Sequence, residues 1–357
     1  MAALDDLIAD AQRMLRICNA CRYCEGYCAV FPALERRLDF SEADVHYLAN
    51  LCHNCGSCLY ACQYAPPHEF QLDFPRMLAE VRVATYRKYA FPGFLGVLFA
   101  WNGLAAVLIT ALSLLAMFSL VKRDAAGSFY DALPHWLMAG FFSLVAALIV
   151  VPLVAGARRF WRDMSEPAAG GVVEATRDAL TLRYLDGGGE GCTYPDTRPS
   201  FARRRFHHLT FYGFALCFAA TCAATVYHYV FGWHAPYPLL SLPVILGTVG
   251  GLGLLAGPAG LVHLRLRRDP ELADPGQNGM DLAFLVLLFL TSATGLALLA
   301  LRGTSAMGTL LAVHLGFVLA LFLTLPYGKF VHGVYRAAAL MRYHIERKRP
   351  PPALGAE

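Results

Sequence analysis

Six stretches of this chain are apolar for about 20 residues or more, enough to cross a bilayer, and no other feature restricts the fold as tightly. A segment in lipid must satisfy every backbone N–H and C=O internally, so each stretch reads as an α-helix. The spans fall near 95–121, 135–155, 208–232, 238–264, 280–301 and 308–328. Composition agrees: 57% of the 357 residues are hydrophobic and 16% charged, whereas soluble domains run near 25% charged. That balance excludes a soluble globule. The fourth span contains GTVGGLGLLAGPAGL, whose small residues predict close helix packing and whose Pro258 predicts a kink. The sixth is expected to run on as helix into RAAALMRYHIERKR.

Ahead of the spans lies a cysteine-rich head. Eight of eleven cysteines fall between Cys18 and Cys62, as two copies of one run, Cys18-x2-Cys21-x2-Cys24-x3-Cys28 and Cys52-x2-Cys55-x2-Cys58-x3-Cys62. Two-residue gaps let three thiolates wrap three corners of a cubane, while the fourth cysteine reaches the other cluster. The assignment is therefore two [4Fe–4S] clusters, one on Cys18, Cys21, Cys24 and Cys62, the other on Cys52, Cys55, Cys58 and Cys28. Disulfides would need an oxidising compartment, and no secretion signal is visible. Structural zinc prefers paired two-cysteine knuckles. The usual proline after the fourth cysteine is replaced by Ala29 and Gln63. Around the motifs the pattern is helical: Leu4, Leu7, Ile8, Ala11, Met14 and Leu15 share one helix face, and Ser41 with Asp44 forms a capping box opening SEADVHYLANLC. His53 and His68, near the clusters, are expected beside the ligands or at the surface. The head resembles the all-helical ferredoxin domain of quinone-linked fumarate reductases and succinate dehydrogenases. The expected fold class is all-α: a helical ferredoxin-like domain with two [4Fe–4S] clusters over 1–90, a six-helix membrane bundle over 91–345 and a flexible tail over 346–357.

Lys and Arg counts orient the body. The loop 156–207, the loop 265–279 and the tail from 328 carry 18, the opposite loops only Lys122, Arg123 and Arg302. The positive-inside rule puts the head and both termini in the cytoplasm. The net charge of +4 is mostly this signal, and no basic stripe in the head suggests nucleic acid.

Histidines inside spans are functional candidates. His314 and His332 lie 18 residues apart, five full turns on one continuous helix, hence one face and about 27 Å of rise. The third span carries His207, His208 and His228. Antiparallel packing would bring His228 to His314 at the outer side and His207 or His208 to His332 at the inner side. Paired imidazoles suit a b-type haem, one or two per chain. His263 is a competing inner ligand. His135 is expected to be interfacial, and His46, His234 and His344 solvated. The run HLGFVLALFLTLPYGKFVH resembles the haem-bearing helix of nitrate reductase gamma subunits.

The loop segment RYLDGGGEGCTYP lacks Gly-x-x-x-x-Gly-Lys and follows no strand, so it is not expected to bind nucleotide. It is expected to cover the inner haem or dock the head, with Cys192 an unliganded thiol and Cys217 and Cys222 packing residues. No Asp or Glu lies deep in any span, Asp281 standing at the start of the fifth, so proton pumping finds no support. No dinucleotide fingerprint or acid/base constellation appears, so substrate chemistry is assigned to a partner.

The segments CNACRYCEGYCAVFPALERR, CHNCGSCLYACQYAPPHEFQLDFPR, RYLDGGGEGCTYP, RRRFHHLTFYGFALCFAATCAATVYHY and GWHAPYPLLSLPV together resemble the tricarballylate (citrate) utilisation protein B family over roughly residues 15–345. The resemblance implies a multi-pass protein of the bacterial inner (cytoplasmic) membrane that reoxidises the flavin of an FAD-dependent partner, tricarballylate dehydrogenase, and passes electrons through the clusters and haem b to quinone. The same module fused to a flavoprotein in a cobalamin-synthesis monooxygenase leaves the substrate open. The alternatives are a quinone-linked subunit of a different flavoprotein dehydrogenase or heterodisulfide-type reductase, or a redox sensor without turnover.

Overall fold

The computed structural model describes residues 2–124, 128–164, 170–272 and 274–350. Five helices build the head: α1 (Ala2–Cys21), α2 (Val30–Leu34), α3 (Glu42–Leu51), α4 (Ser57–Tyr60) and α5 (Phe74–Tyr89). The apolar face read from the sequence of α1 is the one that packs, with Ala11 and Leu15 fully buried and Ile8 and Met14 nearly so. The α3 capping box forms: Ser41 Oγ accepts from Asp44 N–H, and the Asp44 carboxylate accepts from Ser41 N–H, both at 3.2 Å. Leu34, Val45, Leu48, Leu51, Leu78 and Val81 complete a core with no solvent exposure.

Among the described residues, six helices are long and apolar enough to cross a membrane. They are α6 (Asn102–Leu120), α8 (His135–Met164), α10 (Ala202–Tyr229), α11 (Leu242–Leu266), α12 (Asn278–Leu301) and α13 (Met307–Thr324), with short α7 (Phe129–Ala132) before α8 and α9 (Val172–Thr181) between α8 and α10. Val107 and Leu112 are each 65% exposed, as expected of side chains that face lipid rather than core. The expected close packing of small residues is real. Gly213 of α10 meets Gly250 of α11 so closely that a Cβ on Gly213 would lie 2.9 Å from the Gly250 carbonyl oxygen.

The last span departs from expectation. A 3-10 turn, Leu325–Tyr327, and extended Gly328 break it before α14 (Val331–Arg347) begins. Pro326 cannot donate to a continuing helical ladder. The head docks on α14 and the C-terminal part of α8. Tyr86 stacks on Tyr335 of α14 at 5.6 Å, and Tyr89 meets Phe160 of α8 at 5.3 Å. Asp44 pairs with Arg37 at 2.7 Å and with Arg342 at 3.0 Å, while Glu346 pairs with Arg37 and Arg342 and accepts from Tyr47. Two histidines expected in solvent are buried instead. His46 is fully buried, its Nδ1 2.9 Å from Thr85 Oγ1, and buried His344 lies 2.8 Å from the Asp178 carboxylate. Both had helix neighbours whose partners come from distant segments, which local pattern does not show. The tail expected over 346–357 overlaps α14 as far as Arg347, and residues 351–357 lie outside the described residues.

Candidate electron-transfer site

The head gathers its eight motif cysteines around two cavities. Cys18 and Cys21 end α1, and the chain then reverses through Arg22 at φ 55° to present Cys24. With Cys62 these three line one cavity, partly open to solvent. The second motif turns at Asn54 (φ 55°) and Gly56 (φ 84°), so Cys52, Cys55 and Cys58 face inward. With Cys28 they line a tighter cavity. The fourth cysteine of each run therefore stands at the other run's cavity. Phe31 borders both and is 3% exposed, a single ring between them.

These thiols suit a metal cluster better than free solution. Burial, reinforced by Cys62, Cys21 and Cys55, pushes the Cys24 thiol up to about 12. Burial and the neighbouring cysteines also hold Cys28 and Cys58 well above the ordinary thiol range. So many thiols in one place ionise together only if bound cations offset the repulsion. No cysteine is in a disulfide among the described residues. Nor do three His, Cys, Asp or Glu among them converge on a single ion; the thiols ring cavities instead.

The histidines divide by end. At the head end, His207 of α10 and His332 of α14 face each other with ring centroids 6.2 Å apart. Two imidazoles on opposite sides of one iron, each nitrogen about 2 Å from it, would stand about 6 Å apart. His332 Nδ1 is bonded to the Lys329 carbonyl, which directs the Nε2 lone pair outward. His207 Nδ1 is buried with no hydrogen-bond partner. This pair fits a haem. His208 faces elsewhere, 5.7 Å from the Tyr212 ring, and His263, in the last turn of α11, makes no ring contact with the pair.

At the far end the residues do not fit the expected His228–His314 pair. His228 stacks on His135 at 3.8 Å and 13°, with His234 Nδ1 3.1 Å and Tyr130 Oη 3.4 Å from its Nδ1. His314 turns to α12, its Nδ1 3.2 Å from Thr294 Oγ1 and its ring against Gly295. The expectation assumed one helix from His314 to His332, and the break at Pro326 removes that common face.

Arg203 and Arg336, which enter the sequence pattern only as topology charges, join the two halves of the site. Arg203 is one turn before His207 and donates to the Asn54 carbonyl. Arg336 is one turn after His332 and donates to the Cys52 carbonyl at 2.7 Å, which also accepts from Arg82 at 3.2 Å. Burial among these cations pulls Arg336 down to about 10. His53, between Cys52 and Asn54, is buried on the wall of the second cavity, while His68 is partly exposed with its Nδ1 accepting from Phe70 N–H. The i, i+4 spacing of Arg and His on both helices was the available signal.

Helical cysteine head, apolar six-helix body and cross-braced junction together define a membrane-embedded protein with an iron–sulfur type head. Family models place it further. Residues 11–88 match the "Citrate utilization protein B Fer4-like domain" and residues 94–353 match "Citrate utilization protein B". A curated Escherichia coli protein, "Citrate utilization protein B", is 54% identical over 352 residues, covering 96% of this chain and 93% of that protein. The chain belongs to the citrate utilization protein B family. No solved structure matches it. The head and the family indicate an iron–sulfur electron-transfer role in citrate or tricarballylate utilisation.

Proposed function

We propose that this chain accepts electrons from the reduced flavin of a partner FAD-dependent dehydrogenase and delivers them to membrane quinone, with the head on the cytoplasmic side. The observation that carries the reading is the continuity of the site: two cysteine cavities share Phe31, and the second is clamped through Arg203 and Arg336 to the helices bearing His207 and His332. Cys18, Cys21, Cys24 and Cys62 would hold one [4Fe–4S] cluster, Cys28, Cys52, Cys55 and Cys58 a second, and His207 with His332 one haem b. Bound there, these groups supply one-electron storage that lets a two-electron flavin and a quinone communicate.

The chain's own residues do the rest. Exposed Cys21 and the open first cavity present that end to a soluble or peripheral donor. The buried second cavity excludes water, and its arginines place positive charge beside the sulfurs. The family resemblance makes tricarballylate dehydrogenase the donor to try first. The test mixes purified protein in mild detergent, anaerobically, with that dehydrogenase reduced by tricarballylate, then adds a short-chain quinone. Haem and cluster absorbance should shift to the reduced forms, then return on quinone. A protein that dithionite reduces but the reduced dehydrogenase does not would overturn the donor assignment, and failure to reoxidise with quinone the acceptor assignment.

A further inference from the structure

The histidine cluster at the far end of the body lies apart from the electron path. His228 is in the last turn of α10 and His207 near its start, about 30 Å away along the axis. Around His228 three polar atoms converge. His234 Nδ1 lies 3.1 Å and Tyr130 Oη 3.4 Å from His228 Nδ1. A neutral imidazole nitrogen carries either one hydrogen or one lone pair, so His228 Nδ1 makes one good hydrogen bond here, not two. A tetrahedral metal ion with bonds of about 2.0–2.1 Å holds its donors about 3.3 Å apart, and the two observed separations bracket that value. His135 is not a third imidazole on this point. Its ring lies flat on His228, centroids 3.8 Å and planes 13° apart, and fixes the orientation of that ring.

Each donor is held by its own segment. At the start of α7, Ser128 Oγ accepts from Tyr130 N–H at 3.2 Å. Beyond α10 the chain reverses at Gly232 (φ 67°), and Trp233 N–H donates to the Tyr227 carbonyl at 2.9 Å, which brings His234 back beside His228. Tyr237 Oη donates to the Ala224 carbonyl at 3.1 Å and secures the other side of the same turn. His234 is exposed, so ions in solvent reach the cluster.

We propose that His228, His234 and Tyr130 form a binding site for a zinc-class divalent cation, with water in the fourth position. Two imidazole nitrogens and one phenol oxygen match the preferences of zinc, whereas calcium and magnesium take oxygen donors. Binding displaces the Tyr130 hydroxyl proton to solvent, and the phenolate offsets part of the metal's charge. The bound ion fastens α7 and the turn after α10 to α10 itself. The site uses none of the cysteines and neither His207 nor His332, so it stands independently of the cluster and haem assignments.

The experiment uses full-length protein in mild detergent, treated with chelator and then given zinc chloride. Zinc is counted per chain, and its ligands are read by X-ray absorption at the zinc edge. Wild type should bind one zinc in a shell of nitrogen and oxygen at about 2.0–2.1 Å, without the sulfur at about 2.3 Å that cysteine would supply. His234→Ala should lose that zinc while keeping wild-type iron and haem. Tyr130→Phe should weaken binding at least about 10-fold, the least that loss even of an outer-shell partner costs. Zinc should raise the thermal midpoint of wild type but not of His234→Ala. No zinc on wild type, a shell containing sulfur, zinc retained in His234→Ala, or an equal rise in both midpoints each overturns the proposal. If His234→Ala fails to fold, the wild-type absorption decides: the multiple-scattering signature of two imidazoles supports the site, and its absence overturns it.

Discussion

The two ends of the membrane body use histidine in opposite ways. At the head end, His207 and His332 are held between packed helices, each one turn from an arginine that grips the second cysteine motif. At the far end, His228, His135 and His234 lie against one another and Tyr130, with His234 exposed. The same residue type thus has two meanings within one helix, α10. What separates them is the support around each ring: a fixed tautomer, an orphaned nitrogen and buried cations at one end, a partly open aromatic cluster at the other. Ligand precision depends on such support rather than on the histidine itself.

The largest effect expected is at the second cavity. Cys55→Ala removes a ligand from the covered set and should cost about half the protein's iron, with the six-helix body still inserted; iron and sulfide counts per chain check this. Undiminished iron would remove the distinction between the two ends, because no cluster would then be tied to the His207–His332 junction. Next comes the histidine contrast itself. His332→Ala should abolish the haem spectrum, whereas His228→Ala should leave it unchanged. A spectrum lost in His228→Ala would mean that the far end, too, binds haem after rearrangement.

Arg336→Gln tests the brace between them. The guanidinium donates to the Cys52 carbonyl at 2.7 Å and to the Asn50 carbonyl at 3.3 Å. A hydrogen bond to a charged group contributes about 1.5–3 kcal/mol. The loss should fall near the lower end, because burying this cation is itself unfavourable, as its lowered pKa records, and Arg82 still serves the Cys52 carbonyl. A lower thermal midpoint with haem and iron retained is the expected result. Loss of haem instead would make Arg336 part of the haem pocket rather than a brace.

How much of this was legible in the sequence follows from how local each signal is. The doubled cysteine run, the six spans and the Ser41 cap are encoded within a few turns of chain, and the structure places them as the pattern implies. The histidine geometry was not local. It required α13 and α14 to be one helix, and Leu-Pro-Tyr-Gly at 325–328 broke the 100° phase that put His314 and His332 on one face. The warning was present, since proline inside a helical pattern ends or kinks it. The roles of Arg203 and Arg336 depend on segments more than a hundred residues away, to which no periodicity points. The glycine run was visible as a turn, but that it lays Thr193 on Gly56 and Ser57 was not.

The smallest effect asks whether the head's own core and the metal-binding segment are energetically separate. Ser41→Ala removes the hydroxyl that accepts from Asp44 N–H at 3.2 Å and donates to the Asp44 carboxylate at 2.7 Å. Loss of such a cap costs about 1 kcal/mol. Asp44 keeps its ion pairs to Arg37 and Arg342, so the start of α3 remains tethered to α14 and the cost should not grow beyond that. Cys52 closes the other end of α3, three turns away and held independently by Arg82 and Arg336. Thermal melting should therefore show a small decrease in the midpoint with iron and haem content equal to wild type. If iron falls along with the midpoint, α3 transmits strain from its cap to its ligand, and the cysteine cavities are less independently braced than the arginine contacts imply.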